Sequence, residues 1–123
     1  MKKILLCEEE DVMVTAIEFR LQKIGCQVSK AKNANTARQI LELDMPDLAI
    51  VSLNLANDGG MDLVKWIRAE KGPNLPVVII SELEQEQEVM DAYEAGANDF
   101  ITKPFKPTEL VLRVMHLLDK YDA

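Results

Sequence analysis

Four places along the chain carry side chains that could act together on a phosphoryl group and a metal ion. Glutamates run from Glu8 to Glu10, directly after the first apolar run, and acidic side chains of this kind suit a hard cation such as Mg²⁺. Serines follow two later apolar runs, at Ser52 and Ser81, and a lysine, Lys103, follows the last one. A hydroxyl and an ammonium group suit the oxygens of a phosphoryl group. Each signal is weak alone, but together they predict a site for a phosphoryl group and a cation.

The elements that must position these residues follow from the hydrophobic pattern. Five short apolar runs alternate with five segments that carry apolar residues at helical spacing, which predicts alternating β-strands and α-helices. Strict alternation with short connections predicts a parallel sheet covered by helices on both faces, with functional groups outside the carboxyl ends of the strands. The predicted strands are Lys3–Cys7, Gln27–Ala31, Leu48–Val51, Val77–Ile80 and Asp99–Ile101.

Length and composition favour an ordinary globular protein with a single domain over residues 1–123. No run approaches the roughly 18 apolar residues that a membrane helix needs. The apolar part of the N-terminus is too short for a signal peptide, which favours a cytoplasmic protein. A net charge of −7 argues against direct binding to nucleic acid, because a phosphate backbone would be repelled. Cys7 and Cys26 are expected to be free thiols in a reducing compartment.

Five blocks of sequence carry a resemblance to a known family. They lie at residues 3–10, 46–52, 60–63, 76–81 and 95–105, and the last block, AGANDFITKPF, is the most specific. Over essentially its whole length the chain resembles the receiver domain of bacterial two-component (phosphorelay) response regulators, typified by the chemotaxis response regulator. This resemblance implies an α/β fold of the flavodoxin-like type, a (βα)₅ doubly wound parallel sheet with strand order 2-1-3-4-5.

The resemblance also implies roles for individual residues near the strand ends. In the family, an aspartate at the end of the third strand accepts a phosphoryl group from a histidine kinase, and two acidic residues help to hold Mg²⁺. Here Glu8 and Glu9 match the acidic pair, and the backbone carbonyl of Asn54 would be a further metal ligand. Ser81 and Lys103 match the residues that bind the phosphoryl oxygens.

A switch and a partner surface are implied by the same resemblance. Ser81 and Phe100 match the family's switch hydroxyl and switch aromatic, and the bond before Pro104 is usually cis in the family. The fourth helix, fifth strand and fifth helix form the face that meets partners, to which Tyr93 and Arg113 could contribute. The expected partners are therefore a histidine kinase, another signalling protein, or a second copy of this chain.

The chain departs from the family at the acceptor position, where Ser52 stands in place of the aspartate. A serine hydroxyl is not ionised near pH 7 and needs a general base to attack phosphorus, and the only histidine, His116, belongs to the fifth helix. Mg²⁺ also loses a charged ligand, so its binding is expected to be weak. Without the aspartate, Lys103 is expected to pair with Glu8 or Glu9.

Two functions therefore remain open from the sequence. The first is a pseudo-receiver, a signalling module that is not an enzyme and that binds proteins without being phosphorylated. The alternative is a receiver phosphorylated on Ser52 or Asp58 with Mg²⁺. A flavodoxin-like cofactor protein shares the layout, but carboxylates follow the first strand where a cofactor phosphate would need donors.

Overall fold

Five β-strands alternate with five α-helices in the part of the chain described by the computed structural model, residues 1–55, 59–82 and 85–121. No helix in these ranges is both long and apolar enough to span a bilayer. In chain order the elements are β1 (Lys3–Cys7), α1 (Asp11–Lys23), β2 (Gln27–Ala31), α2 (Ala34–Leu43), β3 (Leu48–Ser52), α3 (Gly59–Lys71), β4 (Val77–Ser81), α4 (Glu86–Ala95), β5 (Asp99–Thr102) and α5 (Pro107–Tyr121).

The strands form one parallel sheet in the order β2-β1-β3-β4-β5, which confirms the predicted fold. Pairing in register places Cys7 of β1 beside Val51 of β3, and Ser52 beside Ile80 of β4. Since every strand points the same way, the residues that follow β1, β3, β4 and β5 emerge at one edge of the sheet. The residues that form the candidate site lie at this edge.

Helices cover both faces of the sheet and divide the core into two layers. On one face α2, α3 and α4 bury side chains such as Leu41, Leu63 and Ala92, and on the other α1 and α5 bury Ile17 and Leu110. All residues of β3 and β4 are buried. A strand covered on both faces must be apolar throughout, which explains why these strands read as continuous apolar runs.

Three strands extend one residue further than predicted, to Ser52, Ser81 and Thr102. The parallel ladder continues because Ser52 pairs with Ile80 and Ser81 pairs with Thr102. The apolar pattern stops before these hydroxyl residues, but backbone pairing does not depend on side-chain polarity. Both candidate serines are therefore held in the sheet itself and not in loops.

Candidate functional site

Ser52 is the last residue of β3 and is fully buried. Its hydroxyl oxygen accepts a hydrogen bond of 3.2 Å from the backbone N–H of Asn54, so the side chain stabilises the turn that leaves the strand. The first turn of α3 packs closely against the same strand end. A Cβ atom on Gly60 would meet the Ser52 carbonyl oxygen and the Leu53 Cα atom. The acceptor position thus holds a neutral, enclosed hydroxyl.

Glu8 follows β1 and is buried, with 2% of its surface exposed. Its backbone N–H donates a hydrogen bond of 3.0 Å to the carbonyl of Ala31 in β2. Its carboxylate Oε2 accepts a hydrogen bond of 2.9 Å from the N–H of Glu10. The other oxygen, Oε1, lies 3.1 Å from Lys103 Nζ, so the two groups form an ion pair. Among the described residues, no donor makes a hydrogen bond of good geometry to Oε1.

Lys103 follows β5 and directs its ammonium group toward the glutamates. Besides the contact with Glu8, Nζ lies 3.6 Å from Oε2 of Glu10. The lysine backbone is fixed by a hydrogen bond of 2.8 Å from its N–H to the Ser81 carbonyl and is followed by a cis bond to Pro104. Only 11% of the lysine side chain is exposed, so the ammonium group is placed by the fold and not by free rotation in solvent.

The two candidate switch residues belong to the neighbouring strands β4 and β5. Ser81 is fully buried, and its hydroxyl donates a hydrogen bond of 2.6 Å to Oε1 of Glu88 on α4. Phe100 of β5 is partly buried and packs against the core layer beneath α2, α3 and α4. Arg113 of α5 pairs with Asp99, next to Phe100, at 2.6 Å. The serine is therefore tied to α4, while β5 is tied to α5.

A shallow pocket of about 300 Å³ gathers several of the predicted residues at the carboxyl edge of the sheet. Ser52 and Ser81 are buried and are not among the described residues that line it. Asp58, the alternative acceptor, lies outside the described residues. The walls of the pocket come from Glu8, Glu9, Glu10, Asn54, Glu82 and Lys103.

Sequence reasoning missed two contributors to this region. Glu82 opens an acidic run at residues 82–88, a pattern that is typical of a solvated helix face. It nevertheless lines the pocket, and its backbone N–H donates a hydrogen bond of 3.0 Å to the Asn54 side chain. Glu88 belongs to the same run and is the partner of Ser81. For Glu88 the only signal is its position in the first turn of α4, which indicates a favourable interaction with the helix dipole without indicating a contact.

The fold and the site geometry define a family. The family model for the response regulator receiver domain matches residues 4–115, so the chain belongs to this family of two-component signalling proteins. It is 31% identical over 117 residues to the alkaline phosphatase synthesis transcriptional regulatory protein PhoP of Bacillus subtilis, a match that covers 95% of this chain and 48% of that protein. It is 32% identical over 112 residues to the transcriptional regulatory protein KdpE of Staphylococcus aureus, a match that covers 91% of this chain and 48% of that protein.

The chain thus spans about half the length of these curated relatives. Solved structures agree with the fold. A CheY-like receiver domain from Methanospirillum hungatei superposes with a TM-score of 0.92 at 20% identity, covering 99% of this chain and 97% of that chain. The receiver domain of a signal transduction histidine kinase from Syntrophus aciditrophicus superposes with a TM-score of 0.88 at 29% identity, covering 98% of this chain and 92% of that chain.

Receiver domains typically bind Mg²⁺ at the phosphorylation site, but the residues that line this pocket in the described part of the chain do not fit that ion. Mg²⁺ requires oxygen ligands in near-octahedral geometry. Here Ser52 brings no charge, and the one buried carboxylate of the pocket, Glu8, faces the Lys103 ammonium. In the described ranges, no group of three or more acidic, histidine or cysteine side chains is arranged to hold a metal ion.

Proposed function

We propose that this receiver domain acts in two-component signalling as a phosphorylation-independent protein-interaction module. The observation that carries the proposal is the buried, neutral hydroxyl of Ser52 at the acceptor position, engaged with the backbone of Asn54. An aspartate carboxylate is ionised near pH 7 and can attack phosphorus directly, whereas a serine needs a base to take its proton. The domain is then a pseudo-receiver and not an enzyme.

The groups that would assist a serine are engaged elsewhere. The carboxylate of Glu8, the nearest buried acid, faces the Lys103 ammonium at 3.1 Å. His116 is exposed on α5 and belongs to the helical layer, not to the strand ends. The hydroxyl of Ser81, a ligand for phosphoryl oxygens in the family, donates to Glu88. Internal partners thus occupy the side chains that would otherwise hold the phosphoryl group.

The face formed by α4, β5 and α5 is the proposed surface for partners. Met90 and Tyr93 are large apolar side chains that are 47% and 46% exposed on α4. A tyrosine phenol is already neutral at pH 7 and can donate a hydrogen bond. Partial burial and the nearby Asp99 carboxylate raise the pKa of Tyr93 above its ordinary value. Exposed aromatic and methionine side chains beside charged groups are typical of protein interfaces. The partner is a histidine kinase, another signalling protein, or a second copy of this chain.

Phosphoryl uptake is tested by intact mass spectrometry after incubation with acetyl phosphate and MgCl₂. The wild type is expected to gain no phosphoryl group, and Ser52→Asp is the matched variant that restores the acceptor carboxylate. Uptake by Ser52→Asp alone would show that the acceptor is the only defect. Uptake by the wild type would contradict the proposal. Hydroxylamine would then distinguish an aspartyl phosphate at Asp58, which it cleaves, from a phosphoserine at Ser52, which it does not.

The interaction face is tested separately by sedimentation velocity over a range of protein concentrations. If the partner is a second copy, the wild type self-associates without acetyl phosphate, and Tyr93→Ala weakens that association. Leu43→Ala is the control, because Leu43 is 87% exposed at the far end of α2. Equal weakening by both variants, or a dependence on acetyl phosphate, would count against this face as a phosphorylation-independent dimer interface.

A further inference from the structure

One ammonium group lies among the carboxylates at the carboxyl edge of the sheet. Lys103 Nζ is 3.1 Å from Glu8 Oε1 and 3.6 Å from Glu10 Oε2. The side chains of Lys103 and Glu8 are only 11% and 2% exposed, whereas that of Glu10 is 58% exposed. The buried member of this acidic group therefore has its counter-charge supplied by the chain itself.

Backbone anchors hold both members of the buried pair in place. The N–H of Lys103 donates to the Ser81 carbonyl at the end of β4, and the N–H of Glu8 donates to Ala31 at the end of β2. The second carboxylate oxygen of Glu8 accepts the N–H of Glu10. Hydrogen bonds to the ends of β4 and β2 therefore hold the pair in place. If the ammonium left, the Glu8 carboxylate would remain buried without a counter-charge, which is costly.

We propose that the Lys103 ammonium is the resident cation of this pocket, in the place that a divalent ion takes in other receiver domains. The wild-type domain then keeps its folded state without Mg²⁺ and does not take up the ion at millimolar concentration. Glu8 is free to bind a divalent cation only when the ammonium is removed. This inference deepens the proposed function, but its test measures metal binding and can fail while the mass measurement stands.

The test is a calorimetric titration of MgCl₂ into three forms of the chain. Lys103→Met keeps most of the side-chain volume and removes the charge. Lys65→Met is the control, because Lys65 is exposed on α3 and lines a different pocket. The wild type and Lys65→Met are expected to show no saturable binding. Lys103→Met is expected to bind Mg²⁺ at least about tenfold more tightly, since a neighbouring positive charge no longer opposes the ion.

Saturable millimolar binding by the wild type would overturn the proposal, and so would the absence of any gain in a folded Lys103→Met. Lys103→Met leaves Glu8 buried without its cation, so its thermal midpoint is also followed over a MgCl₂ series against NaCl of equal ionic strength. Recovery of stability in MgCl₂ alone supports the proposal, even if the variant is unfolded without the metal. The double variant Glu8→Gln/Lys103→Met, which removes both charges, is the control for folding. If it folds normally and Lys103→Met recovers no stability in MgCl₂, the proposal is overturned.

Discussion

The hydroxyl of Ser81 donates a hydrogen bond of 2.6 Å to the carboxylate of Glu88, which joins the end of β4 to the first turn of α4. In receiver domains the residue at the Ser81 position binds a phosphoryl oxygen. Here the same hydroxyl is engaged with a helix of the chain itself. The contact links the end of β4 to α4 without any added group.

Loss of this contact should lower stability by a measurable amount. Glu88→Ala is expected to reduce the free energy of unfolding by about 1.5 kcal/mol, because the hydrogen bond has a charged acceptor and a buried donor. Glu86→Ala is the matched control, since Glu86 is exposed in the same first turn and shares the helix-dipole effect but not the contact. Urea denaturation measures both, and equal losses would show that the dipole alone accounts for the effect.

The approach of α3 to β3 should forbid a side chain at position 60. Gly60→Ala is expected to destabilise the domain by about 1–3 kcal/mol, because its Cβ atom would meet the Ser52 carbonyl and lie 2.8 Å from the Leu53 Cα atom. Helix propensity alone would favour alanine by about 0.5–1 kcal/mol. The sign of the change in unfolding free energy therefore shows whether steric overlap or helix propensity dominates. A gain in stability would contradict the close approach of α3 to β3.

Arg68 should be essential for joining the end of α3 to the segment before β5. Its guanidinium donates hydrogen bonds to the carbonyls of Leu75 at 2.7 Å and Gly96 at 2.7 Å, and to the Asn98 side chain at 2.9 Å. Arg68→Lys is expected to lower the unfolding free energy by about 2 kcal/mol, since an ammonium cannot reach all these acceptors at once. Lys65→Arg, on the exposed side of α3, should change it by less than about 0.5 kcal/mol.

Cys7 should stay protonated and unreactive in the folded domain. Burial, and then the charge of Glu8, raise the pKa of its thiol from the ordinary 9.0 to about 12. Alkylation by iodoacetamide at pH 8 should therefore proceed only as fast as the domain unfolds. Because the pKa is higher in the folded domain, the thiol of the unfolded chain loses its proton at a lower pH. The protonated Cys7 thiol therefore contributes its full stabilisation below pH 9, and this stabilisation declines as the pH rises from 9 toward about 12.

Comparison with Cys7→Ala isolates that contribution from other groups that titrate at high pH. The stability difference between wild type and variant should shrink across this pH range, with a slope of at most about 1.4 kcal/mol per pH unit. A difference that does not change with pH would show that the thiol titrates normally in the folded state.

Much of the fold was determined by the sequence alone. The alternation of apolar runs with helical periodicity predicted five strands and five helices, because a strand covered on both faces must be apolar and a covering helix needs one apolar face. The family resemblance added the strand order, and parallel pairing then placed Glu8, Ser52 and Lys103 at one edge. The presence of serine at position 52 could also be read directly.

Only the tertiary structure decided which groups contact one another at that edge. The sequence left Lys103 to pair with Glu8 or Glu9, and the structure brings its ammonium to Glu8 and Glu10. It also brings the Ser81 hydroxyl to Glu88, which belongs to an acidic run typical of a solvated helix face. Residue types predict secondary structure through local periodicity, whereas an ion pair depends on side-chain reach between strands that are distant in the chain, which no local pattern encodes.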